Sequence, residues 1–145
     1  MPSNPTISAT RLLHFDAAHR VMEHESKCKN LHGHRYVVEA TFDASKLDKL
    51  GRVIDFGVIT TLLGGWIDAH WDHNTILFDA DKALGHVIEE QTGQSVFYLP
   101  YNPTAENIAH YLMTQVCPDI FKDYEAVCRN IIVHETPNCY ATISR

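Results

Sequence analysis

From His32 to Phe42 the chain alternates with period two. His32, His34, Tyr36, Val38, Ala40 and Phe42 occupy one parity; Arg35, Val37, Glu39 and Thr41 occupy the other. Side chains on a strand point alternately to opposite faces, so this stretch is a strand. It places two imidazoles on one face, beside an apolar run. Gly33 between them leaves the other face open to a close backbone neighbour.

A second strand is expected over Ser8 to His19, with Leu13, Phe15, Ala17 and His19 on one parity. The polar stretch MEHESKCKN between the two strands reads as a loop, and residues 1–6 read as a loose end. GRVIDF (51–56) reads as a strand end running into a helix over 57–71, with Asp55 as N-cap. Ile59, Leu62, Leu63, Trp66 and Ile67 give that helix one apolar face. Residues 81–91 suggest a second helix stopped by Gly93, and SVFYL (95–99) a short strand. A third helix is expected from Thr104 to Cys117, ended by Pro118. Strands at Glu125–Glu135 and Cys139–Ser144, joined at Pro137-Asn138, close the chain. Strands interrupted by helices and ending in a hairpin imply an α+β fold with a mainly antiparallel sheet.

With 145 residues, 45% hydrophobic and 21% charged, the chain suits one domain spanning 1–145 and excludes disordered, collagen-like and coiled-coil classes. A net charge of −6 argues against nucleic-acid or anionic-membrane partners. No apolar run approaches a membrane span, and MPSNPTISATRLLHF lacks the features of a signal peptide. The expected setting is therefore cytoplasmic, with Cys28, Cys117, Cys128 and Cys139 as free thiols.

Ten histidines are the compositional oddity. His32 and His34 on one strand face can share a metal, and His19, ending the neighbouring strand, can supply a third imidazole. Three neutral imidazoles suit Zn2+ and leave a fourth position open for chemistry. With Cys28 added, the same residues could instead form a closed, four-ligand structural zinc site. In WDHN, Asp72 can orient His73 for proton transfer. The bland reading of that pair is a helix C-terminus carrying a favourably placed histidine. Glu135, ending an apolar strand, is either solvated or a carboxylate that accepts paired N–H bonds from a flat guanidine-like edge.

Taken in order, FDAAHR, CKNLHGH, VIDFGVI, WDHN, PTAEN and HET resemble the 6-pyruvoyl-tetrahydropterin synthase / 6-carboxytetrahydropterin synthase family over most of the chain. The resemblance implies catalytic zinc on His19, His32 and His34, with Cys28 as a proton-transfer residue. It implies a relay through Asp72 and His73, and Glu135 as the anchor of the pterin ring. Three residues separate Cys28 from His32. That spacing is like the bacterial carboxy synthases of the queuosine pathway; the animal-type pyruvoyl synthases carry a longer spacer. The implied reaction takes 7,8-dihydroneopterin triphosphate to 6-carboxytetrahydropterin, acetaldehyde and triphosphate. A pyruvoyl-tetrahydropterin synthase or a dual-activity member is the alternative; a non-enzymatic zinc-binding protein belongs to another class. The implied architecture is the tunnelling fold: a four-stranded antiparallel sheet with helices on one face. Three sheets close into a barrel, two trimers stack into a homohexamer, and the active site lies between subunits. One departure is the long connection at 75–102, which compact members lack.

Overall fold

The computed structural model describes residues 4–145. The loose end expected at 1–6 lies partly outside them; residues 4–7 carry no regular element. β1 (Ser8–His19) and β2 (His32–Asp43) pair antiparallel without a break, from Ser8↔Asp43 to His19↔His32. This register carries His19 opposite His32 and brings His34 opposite Ala17. The connecting loop holds one short 3-10 turn, Lys27–Lys29.

The strand end expected at 51–56 does not form. Asp48 instead accepts from the backbone amides of Leu50 and Arg52 at 2.9 and 3.0 Å, and Gly51 takes φ 84°. This closes a turn before an extended strand can begin. The Asp55 carboxylate then caps α1 (Phe56–Ile59), accepting from Gly57 N at 3.0 Å. A π-helical segment, Thr60–Gly64, continues it into α2 (Gly65–His70). Ile59, Leu63 and Ile67 of this composite helix are fully buried against the sheet.

The connection at 75–102 corrects the expected sheet. β3 (Asn74–Phe78) pairs parallel with the end of β1, and β4 (Val96–Leu99) pairs parallel with β3. α3 (Lys82–Thr92) links them and ends at Gly93, left-handed at φ 72°. The sheet is thus six-stranded and mixed, in the order β4-β3-β1-β2-β5-β6. The four antiparallel strands expected are its β1-β2-β5-β6 portion. β3 escaped sequence reading because Thr75, Ile76 and Leu77 are all buried. A short parallel strand covered on both faces shows no alternation.

α4 (Ala105–Tyr111) is capped by Thr104, whose hydroxyl accepts from Asn107 N at 3.1 Å. A second π-helical segment, Leu112–Val116, leads into α5 (Cys117–Ile120). Pro118 therefore does not stop the helix. It sits in the first turn of α5, where the N–H it lacks is not required. β5 (Val127–Thr136) starts two residues later than expected and pairs antiparallel with both β2 and β6 (Cys139–Ser144). α1, α2, α4 and α5 pack on the sheet in a single apolar cluster that includes Phe15, Tyr36, Val38 and Ile131; α3 packs on β3 and β4 and contributes no residue to it. The four cysteines are free thiols. No helix of the described residues is long and apolar enough to cross a membrane.

Candidate metal centre and active site

The β1–β2 register converges three imidazoles. The ring centroids of His19, His32 and His34 lie 4.7, 5.1 and 4.8 Å apart. One ring nitrogen of each lies within 4.8 Å of the other two. His19 Nδ1 lies 2.7 Å from Pro103 O, and His32 Nδ1 lies 2.7 Å from Asn30 O. A carbonyl only accepts, so each Nδ1 carries the proton and donates. Each Nε2 is left with a free lone pair. His19 Nε2 and His34 Nε2 are buried and have no hydrogen-bond partner. Orphaned ring nitrogens of this kind are what a cation would satisfy, so the residues fit a metal.

Burial pushes His19 down to about 4, and burial also lowers His34 despite the opposing charge of Glu135. Both shifts favour the neutral, ligating form. The cluster contains no sulfur among the described residues. Cys28 lies on the neighbouring short turn, half-buried, so a closed site with Cys28 as fourth ligand is not what the geometry builds.

Glu135, near the end of β5, brings its Oε2 to 3.7 Å from His34 Nε2. Tyr36, one pleat beyond His34, has a buried hydroxyl with no partner, and its ring centroid is 5.5 Å from that of His34. Burial, reinforced by the Glu135 charge, holds this phenol protonated far above its usual range.

Asp72 and His73 form a second cluster, separate from the imidazole triad within one chain. His73 Nδ1 lies 2.8 Å from Asp72 Oδ2, while Asp72 Oδ1 accepts from Asp16 N at 2.9 Å. Partial burial pushes the Asp72 carboxyl up, but the Asp16 amide and His73 outweigh it, leaving it below its usual range. The bond to Asp72 raises His73. His73 is exposed and sits at φ 61°, a left-handed conformation that non-glycine residues rarely adopt. The pair follows directly on α2, as the bland reading expected, yet it also has the oriented geometry of a relay. An open cleft of about 400 Å3 is lined by residues that include His34, Gly33, Arg35, His73 and Gln94. A Cβ on Gly33 would lie 3.3 Å from Ala17 O, which explains the glycine between the histidines.

A sequence model of the 6-pyruvoyl tetrahydropterin synthase family matches residues 8–145. The chain belongs to that family. The match embraces all the motifs on which the resemblance rested. A 6-carboxy-5,6,7,8-tetrahydropterin synthase from Rickettsia bellii is 48% identical over 137 residues, covering 94% of this chain and 99% of that protein. A probable 6-carboxy-5,6,7,8-tetrahydropterin synthase from Halobacterium salinarum is 30% identical over 131 residues, covering 90% and 82%. Among solved structures, an uncharacterized protein from Wolinella succinogenes superimposes with TM-score 0.82 at 19% identity, covering 98% of this chain and 99% of that one. The 6-pyruvoyl tetrahydropterin synthase of Caenorhabditis elegans gives 0.71 at 21%, covering 100% and 99%. The fold is therefore the tunnelling fold of this synthase family, here with a six-stranded sheet.

Sequence reasoning named the family's ligand types but not what orients them. The carbonyls of Asn30 and Pro103, the Asp16 amide and the Gln94 side chain all act through the fold. No local sequence signal marks a carbonyl or an amide as an orienting group.

Proposed function

We propose that this chain is a zinc-dependent 6-carboxy-5,6,7,8-tetrahydropterin synthase of queuosine biosynthesis, a carbon–carbon lyase acting in the cytoplasm as one domain over residues 1–145. Its reaction would convert 7,8-dihydroneopterin triphosphate and water to 6-carboxytetrahydropterin, acetaldehyde and triphosphate. The observation that carries the reading is the convergence of two buried, partnerless Nε2 atoms, on His19 and His34, within 4.8 Å of a nitrogen of His32, with Glu135 alongside. The names of the relatives from Rickettsia bellii and Halobacterium salinarum support the carboxy product.

His19, His32 and His34 would hold the zinc, which when bound supplies Lewis-acid polarisation of a substrate hydroxyl. Glu135 would accept N–H bonds from the 2-amino and N3 edge of the pterin, fixing the side chain of the substrate over the metal. Cys28, as thiolate, would take a proton next to the pterin imine carbon. His73, oriented by Asp72, would carry the remaining proton transfers. The Asp72–His73 pair forms a group of its own with Asp16, across an open cleft from His34. As the family resemblance implies, the reading places the complete site between subunits of a homo-oligomer, a trimer or a dimer of trimers, whose sheets close into a barrel. Closure would also cover the exposed edges of β4 and β6.

The test is incubation of the zinc-loaded protein with 7,8-dihydroneopterin triphosphate and identification of products by mass spectrometry. Carboxytetrahydropterin with acetaldehyde is the expected result. A pyruvoyl product would move the chain to the other branch, and no product with zinc bound would remove the catalytic reading.

A further inference from the structure

The β3–α3–β4 unit makes one direct side-chain connection to the Asp72–His73 pair. Gln94 follows Gly93, the left-handed residue that ends α3, and its own amide donates to Thr92 Oγ1 at 3.0 Å. Its side chain uses both ends. Gln94 Nε2 donates to the His73 carbonyl at 3.0 Å, and Gln94 Oε1 accepts from the hydroxyl of Thr75 on β3. Thr75 is 2% exposed, so this strut is footed in the packed interior.

His73 needs such a strut. Its side chain is exposed and has little packing to hold it, and its φ of 61° is unfavourable for a residue with a Cβ. Among the described residues, the hydrogen bonds that fix it are three. Asp72 Oδ2 holds Nδ1 at 2.8 Å, Asp16 O accepts from its N–H at 2.7 Å, and Gln94 holds its carbonyl. A residue gripped at both N–H and C=O has its Cα–Cβ direction set. The first two grips come from β1 and from Asp72 itself. The third comes from the segment between α3 and β4.

We propose that Gln94 is a positioning residue that aims the His73 imidazole for proton transfer by holding the His73 carbonyl, and that this is what the 75–102 unit contributes to the site. The proposal rests on His73 being the proton-transfer residue. It assigns Gln94 no contact with the reacting atoms.

Gln94→Leu in the zinc-loaded protein separates positioning from mere structure, because a neutral side chain replaces a neutral one. The charged and titratable groups facing His73 are unchanged: Asp72, Asp16 with its partner Arg35, and His34 across the cleft. Any movement of His73 titration, followed by NMR on histidine-labelled protein, then reports geometry. The expected result is a His73 titration midpoint that falls toward the ordinary histidine value. With it, kcat should fall about tenfold to a hundredfold, with KM within about twofold and zinc content intact. Thr75→Val should move both readouts the same way by less, and the double variant should be no worse than Gln94→Leu alone. Unchanged His73 titration and kcat, even with a lowered melting temperature, would overturn the proposal and leave Gln94 a structural tie. If the wild-type protein does not turn over the triphosphate, the reaction assigned above has failed; the His73 titration then decides alone, movement supporting the aiming role and constancy overturning it.

Discussion

His19 and His32 are register partners at the ends of β1 and β2, their rings 4.7 Å apart, and each turns Nδ1 to a backbone carbonyl. The two orienting carbonyls belong to Pro103 and Asn30, 84 residues away from His19 and two from His32. Both rings thus keep the proton on Nδ1 and leave Nε2 as the ligating nitrogen. A site with its tautomers already chosen loses little freedom on binding a cation.

His32→Ala should therefore lose stoichiometric zinc, measured by atomic absorption after dialysis. Cys28→Ala should keep zinc and lose turnover. Zinc lost from the Cys28 variant would revive a closed four-ligand site, and zinc retained at full stoichiometry in the His32 variant would dissolve the triad.

Glu135→Gln removes the negative charge facing the site while preserving shape. We expect pterin affinity to fall by roughly tenfold to a hundredfold, the scale of a lost hydrogen bond to a charged group. Zinc content should be unchanged. Calorimetric titration with a pterin that lacks the triphosphate isolates this contact, and unaltered affinity would reject the anchor.

Asp72→Asn should lower the pKa of His73, because the bond to the carboxylate is the first cause of its elevation. The sign follows from linkage. A histidine raised in the folded state favours folding below its unfolded pKa of about 6.5 and loses that contribution as pH rises through the folded value. The variant should thus flatten the pH dependence on the alkaline side of 6.5. Histidine NMR titration of both proteins would show it, and coincident curves would mean the 2.8 Å contact is not made in solution.

Asp81 is 3% exposed and receives a two-pronged bond from Arg20, which anchors the end of β1 to the β3–α3–β4 unit. Arg20→Ala leaves that carboxylate without its partner, at a cost of about 1–3 kcal/mol because the Arg20 side chain is a third exposed and water can reach the vacated place. Urea denaturation should register the loss, and the Arg20→Ala, Asp81→Ala double variant should recover part of it. Equal destabilisation in single and double variants would show that the pair is not coupled.

Period two in Ser8–His19 and His32–Phe42 was legible because each strand has one buried and one open face, so the parity of every histidine in the triad could be read directly. The Asp55 cap and the Gly93 stop were legible because they are chemical requirements of single positions. β3 was not, since a strand buried on both faces loses its alternation, and Pro118 misled because its place in a turn depends on the π-helical segment before it. The sequence by itself determined that His32 and His34 share one strand face and that His19 ends the buried parity of its own strand, because strand parity is a local property. Only the tertiary structure decided that Pro103 and Asn30 select the tautomers, that Gln94 grips His73, and that His34 and His73 line one open cleft. Those are relations between segments brought together by the sheet, and no local pattern encodes them.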